Sequence, residues 1–173
     1  MRAALTAIAA LALLAAPALA AGGSSRPTGA ATECKAGEVY SEREKKCVED
    51  TSSSLTDRDR FETGRALALA GRYDEAVAVL ETADASDPDV LNMLGFAHRK
   101  AGRMADGMAH YEAALAIDPD HALTRSYMGQ AMLETGDREG AREQLRLIRA
   151  ATGPVSLEYV MLRDALASGT GAY

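Results

Sequence analysis

Between residues 56 and 154 apolar side chains recur at intervals of three and four. Tyr73, Ala76, Val77, Leu80 and Ala83 form one stripe, and Met104, Met108, Tyr111, Ala114 and Leu115 form another. That period places each set on one face of an α-helix. Each second helix starts one or two residues after a glycine, at Tyr73, Met104 and Arg138 after Gly71, Gly102 and Gly136. A glycine there ends the preceding helix by adopting the left-handed conformation. The pattern therefore predicts helix pairs, with the first helix of each pair closing at Gly71, Gly102 or Gly136.

The pairs are copies of one unit. Gly64, Gly95 and Gly129 each precede a terminal glycine by seven residues, and the copies are offset by 31 and then 34 residues. Ala76, Gly107 and Ala141 recur at one offset, Leu80, Tyr111 and Leu145 four later, and Pro88, Pro119 and Pro154 close the units. A period near 34 means a stacked array of one supersecondary unit. Glycine inside a helix costs ~1 kcal/mol relative to alanine, so Gly64, Gly95, Gly107 and Gly129 need a packing reason. Small residues facing each other, Gly64 against Ala76, are expected to let the paired helices close. After Pro154 the run VSLEYVMLRDALAS predicts one more helix. Leu157, Val160, Met161, Asp164 and Ala165 lie on roughly one of its faces, with Leu162 and Leu166 beside it, and it would cover the last pair.

These residues resemble the tetratricopeptide repeat family. The middle unit carries the resemblance best, through Leu91, Leu94-Gly95, Gly102, Tyr111, Ala114 and Asp118-Pro119. The third matches through Met128-Gly129, Gly136, Ala141, Leu145 and Pro154, the first through Gly64, Gly71, Tyr73, Ala76, Leu80, Ala83 and Pro88. The first unit has Arg60 and Thr63 where the family prefers apolar groups, a departure that suits an end repeat facing water. His98 stands where the family usually has an aromatic. The resemblance implies an all-α, right-handed solenoid of three helix pairs, about 57–87, 88–121 and 122–154, with a capping helix over 155–168. It also implies a concave groove, lined by the first helix of each pair, that holds an extended peptide. Carried over residue by residue, that groove shows Phe61 and Arg65, then Asn92, Phe96 and Arg99, then Tyr127 and Gln130. An amide beside two arginines suits a peptide backbone and a carboxylate, and Phe96 and Tyr127 are expected as exposed aromatics. The lysines of the family's co-chaperone carboxylate clamp are absent from these positions.

The N-terminal third follows no such period. Met1-Arg2, an apolar run from Ala3 to Ala16, and Ala18-Leu19-Ala20 after Pro17 make the three parts of a secretory signal peptide over residues 1–20. Cleavage near Ala20/Ala21 would deliver the chain to an exported compartment, most simply a bacterial periplasm. Residues 21–33, rich in Gly, Ser, Ala and Pro, read as a flexible linker. Cys34 and Cys47 follow, and export makes their pairing the default. The segment 34–49 has a β-prone Glu38-Val39-Tyr40, a polar turn, then Lys46-Cys47-Val48. A small hairpin closed by the disulfide follows from this, the bridge contributing about 3 kcal/mol.

Composition narrows the function. Hydrophobic residues are 47% and charged residues 25% of 173, which is globular, and aromatics are only 5%. A net charge of −6 argues against nucleic acid as a partner. Nothing after the signal peptide is long and apolar enough to span a bilayer. Hydrolase, P-loop, zinc-protease and dinucleotide motifs are absent. Of the three histidines, His98 is expected in the core and His110 and His121 on the surface at different heights, so no metal or other cofactor is called for. Asp118 and Asp120 read as helix caps. The sequence thus points to a non-enzymatic exported module that binds a protein or peptide in its groove. The alternative is a structural protein of the cell envelope, acting by self-association or through the disulfide segment.

Overall fold

The fold is taken from a computed structural model, which describes residues 28–169. The expected signal peptide and most of the expected linker lie outside the described residues. The end of that linker, Thr28–Thr32, is a short helix, α1. It is ordered by contact: Ala31 is buried, and α1 packs on the first long helix.

Two strands follow, β1 (Glu38–Ser41) and β2 (Lys46–Glu49), antiparallel with Tyr40 opposite Cys47. Cys34 and Cys47 are joined by a disulfide with their Cα atoms 5.5 Å apart. Seven helices come next: α2 (Asp57–Leu69), α3 (Tyr73–Leu80), α4 (Pro88–Lys100), α5 (Met104–Ile117), α6 (Ala122–Glu134), α7 (Arg138–Thr152) and α8 (Leu157–Ser168). Gly71, Gly102 and Gly136 all take positive φ, between 81° and 87°, so each first helix stops where a side chain would be strained. Asp87, with Pro88 behind it at the first helical position, caps α4 by accepting from the Asp89 N–H.

The helices pair as α2/α3, α4/α5 and α6/α7, and the first helices of successive pairs touch in turn, α2 with α4, α4 with α6 and α6 with α8. Close approach depends on missing side chains: Gly95 and Gly107 face each other as expected, and bulky side chains of the second helices also fill the space. A Cβ built on Gly64 would lie 2.5 Å from Leu80 Cγ. One on Gly95 would lie 2.5 Å from Tyr111 Cε1 and 3.0 Å from the Gly107 carbonyl. In both pairs the bulky residue of the second helix fills the notch of the first. The third pair breaks this rule, because a Cβ on Gly129 would meet Leu162 of α8 at 2.6 Å rather than Leu145. Helix α8 is therefore keyed into the array. Its buried residues are Leu162, Ala165 and Leu166, so burial centres on the flank of the expected stripe, and Leu157 and Asp164 of that stripe are exposed.

The hairpin belongs to the first pair. Val39 is fully buried in the same core cluster as Leu67, Val79, Leu80 and Leu94, which contributes roughly 1.5–3 kcal/mol. Arg60 and Thr63 do not face water as the sequence suggested. Arg60 donates from Nε to Asp50 Oδ1 (3.2 Å) and from Nη2 to the Asp50 carbonyl (3.0 Å). Thr63 Oγ1 accepts the Tyr40 N–H at 3.1 Å, and Asp59 Oδ1 accepts the Glu42 N–H at 3.0 Å. At the far end of α2, Arg72 donates to the carbonyls of Thr32 (2.6 Å) and Cys34 (3.1 Å) while also holding Glu75.

Candidate functional site

Four helices each bring an i, i+4 pair to one cleft, the spacing that puts two side chains on one helix face. Arg65 and Leu69 come from α2, Phe96 and Lys100 from α4, Leu123 and Tyr127 from α6, and Leu157 and Met161 from α8. Ala68, Tyr73 and Glu158 complete a space of about 540 Å³. Leu69 is 54% and Leu157 68% exposed, and Val155, two residues before Leu157, is 87% exposed. Among the described residues the one other exposed large hydrophobic is Ile117, at 49%. Two of these four exposed side chains, Leu69 and Leu157, line the cleft, and such exposed apolar surface is found at sites that receive a partner.

Of the seven residues the sequence placed in a groove, Arg65, Phe96 and Tyr127 line this cleft. Phe96 is not an exposed aromatic: it is 5% exposed and packs on the half-buried Tyr127 with ring centroids 5.2 Å apart. Asn92, Arg99 and Gln130 are buried too. The reason is the position of α4, which contacts α2, α3, α5 and α6, so every residue from Val90 to Arg99 is buried. Phe61 lies half-buried on α2 under the Arg58 guanidinium, outside the cleft lining.

Arg99 stands behind the cleft wall. Its Cζ lies 5.8 Å from the Phe96 ring centre and 6.0 Å from that of Tyr127, and its Nη1 donates to Glu134 Oε1 at 3.0 Å. The two rings and the carboxylate together offset the cost of burying the cation. Its Nε and Nη2 have no hydrogen-bond partner, and neither do Asn92 Oδ1 and the Gln130 amide. Gln130 lies between Tyr127 and Glu134, the two α6 residues that Arg99 touches. Burial pushes the Tyr111 hydroxyl far above its ordinary range, so it stays a neutral phenol.

Sequence reasoning missed Leu69, Lys100, Leu123 and the α8 residues. The first three stand one helical turn from Arg65, Phe96 and Tyr127, so i±4 extension of the named residues would have found them. The α8 contribution had no such signal, because that helix was read as a lid over the last pair.

His98 is buried as expected, and the other two histidines differ from expectation. His98 and His110 stack with centroids 5.1 Å apart. His98 Nδ1 accepts from Arg103 Nε at 2.9 Å, and Arg103 reaches Asp74 Oδ1 of α3 at 2.7 Å, tying the first pair to the second. His121 is not a bare surface residue: its Nδ1 caps α6 at the Thr124 N–H, and its Nε2 lies 3.2 Å from Asp89. Asp118 is the C-cap residue of α5, its N–H donating to the Ala114 carbonyl, and its side chain accepts the Asp120 N–H, while the N-cap of α6 is His121. Among the described residues no group of three His, Cys, Asp or Glu side chains is placed to hold a metal ion, and no helix is long and apolar enough to cross a membrane.

The sequence profile of the tetratricopeptide repeat family matches residues 98–166. Three solved structures of low identity share the fold. The first tetratricopeptide domain of human RPAP3 is 21% identical, with a TM-score of 0.56 over 68% of this chain and 98% of that one. The type III secretion chaperone SycD of Yersinia enterocolitica, in complex with a peptide of the translocator YopD, is 17% identical, with a TM-score of 0.56 over 70% of this chain and 95% of that one. A second structure of SycD, there described as a translocator chaperone, gives 17% and 0.57 over 69% of this chain and 87% of that one. No curated protein matches the chain. Residues 98–166 thus match the tetratricopeptide repeat profile, and the chain shares the fold of solved tetratricopeptide repeat domains.

Proposed function

We propose that this protein is a non-enzymatic, exported interaction module that binds a protein segment in the cleft between α2, α4, α6 and α8. The observation that carries the reading is the convergence of exposed Leu69 and Leu157 on an apolar space of about 540 Å³. That volume suits a few side chains of an extended segment. The peptide complex of the similarly folded SycD supports the reading. Export is supported by the residue pattern of 1–20 and by the Cys34–Cys47 bridge, which persists in oxidising compartments.

The binding test is a pull-down from the native host with the full chain and with Leu69→Ser/Leu157→Ser. Both residues are exposed, so the double variant keeps its helicity. Partners are expected to be lost from the variant; retention of the same partners would remove the cleft from the account. The hairpin shares the core of the first pair, which favours a capping role for it over a separate anchor to the envelope.

A further inference from the structure

Two imidazoles meet where the first helix pair joins the second. His98, near the end of α4, stacks on His110 of α5 with the ring planes 20° apart. His98 Nδ1 accepts from Arg103 Nε at 2.9 Å, so this ring is neutral, with its proton on Nε2. The same bond aims the Arg103 guanidinium at α3, where Nη1 donates to Asp74 Oδ1 at 2.7 Å. Asp74 is 83% exposed, and an ion pair so open to water contributes little unless its geometry is held. His98 holds it. Two more carboxylates face the stack: Glu81 at the C-cap of α3, and Asp106 in the first turn of α5. Asp106 Oδ2 lies 3.8 Å from His98 Nδ1. Arg99, next to His98 in the chain, turns to Glu134 of α6 instead.

We propose that the His98–His110 stack is an acid-released latch between the first and second helix pairs. A proton on His98 Nδ1 turns the acceptor into a donor, so Arg103 Nε–H then faces an N–H and a second cation. The imidazolium has Asp106 as its new acceptor, and Arg103 loses the contact that aims it at Asp74. Burial, and after it the neighbouring His98, hold the His110 imidazole below its ordinary value, with Glu81 and Asp106 opposing. His110 therefore adds no charge to the stack at neutral pH. Release bears on the cleft because the two pairs carry different parts of it. Arg65, Leu69 and Tyr73, the last beside Asp74, belong to the first pair, and Phe96 and Lys100 to α4. A looser joint changes the spacing of these walls and weakens binding in acid. That consequence rests on the cleft reading above; the latch does not.

The test follows amide exchange of the full chain at pH 7.5 and pH 5, a range that spans ordinary histidine titration, corrected for the intrinsic pH dependence of exchange. Protection of α3 is expected to fall in acid by about tenfold more than that of α7. His98→Asn keeps an acceptor oxygen near the Nδ1 position and cannot titrate, so α3 is expected to be equally protected at both pH values. Arg103→Met is expected to leave α3 loose at both. Asp106→Asn, at an exposed position, is expected to move the response to lower pH. No change in α3 on acidification, an equal loss in every helix, or a response that survives His98→Asn would overturn the latch, whatever the cleft binds. Pull-down partners still retained at pH 5, by a chain whose α3 has loosened, would overturn only the consequence for the cleft.

Discussion

Thr63 Oγ1 accepts the Tyr40 N–H at 3.1 Å, joining positions 23 residues apart. One α2 side chain thus completes the outer edge of a strand. One turn earlier Asp59 accepts the N–H of Glu42, just past the strand, and Arg60 and Arg72 donate to the carbonyls of Asp50 and Cys34 on either side of the hairpin. The first helix pair departs from the apolar family pattern because those positions bind backbone.

Thr63→Val keeps the shape of the side chain and leaves the Tyr40 N–H without its acceptor. Urea denaturation is expected to show a loss of about 1–3 kcal/mol. An unchanged midpoint would mean that water replaces the hydroxyl at no cost.

Cys34→Ser/Cys47→Ser removes a cross-link over a sequence separation of 13. The expected loss is about 3 kcal/mol, and it should fall first on α2 and α3. Hydrogen exchange of those amides is expected to speed up more than that of α6 and α7. Uniform exchange across the chain would show that the hairpin does not cap the first pair.

Gly95→Leu places a side chain where Tyr111 and the Gly107 carbonyl already sit. Overpacking here is expected to cost about 1–3 kcal/mol or more, visible as a lower melting temperature. Gly129→Leu is expected to detach α8 rather than split α6 from α7, which shows as faster exchange at Leu162 and Leu166.

Acid should weaken the fold in two windows. Burial pushes the His110 imidazole below its ordinary value, helped by the neighbouring His98 and opposed by Glu81 and Asp106. Below the unfolded value of about 6.5 the unfolded chain then binds a proton that the folded chain refuses, so stability falls as pH drops through that range. His110→Gln is expected to flatten the melting temperature between pH 7 and 5. Burial alone would raise the Asp59 carboxyl, but the N–H groups of Thr56 and Glu42 and the Thr56 hydroxyl outweigh it, and the net shift is downward. Its contribution is present above about pH 4 and is lost as pH falls through the lower folded value. Asp59→Asn is expected to remove that second fall.

The repeat was legible because it is local. Seven-residue glycine spacing and three-four apolar stripes are properties of single helices and of their immediate partners, and the helices start at Tyr73, Met104 and Arg138 as the spacing predicts. The cleft was half legible for the complementary reason. Arg65, Phe96 and Tyr127 follow from the family resemblance, which says which helix face lines the groove. Burial of Asn92, Arg99 and Gln130 follows from how many helices surround α4, which register does not contain. The meeting of Leu162 with Gly129, the Arg60 and Thr63 contacts, and the stacking of His98 on His110 depend on packing between segments, and no spacing rule encodes them.

The central claim is that partners enter the cleft rather than the outer face. A photoreactive residue placed at Leu157, and separately at the exposed Arg142 of α7, tests this in the native host. Crosslinking to a discrete partner from position 157, suppressed by Leu69→Ser and absent from position 142, is the expected result. Equal crosslinking from both positions, or from 142 alone, would contradict it.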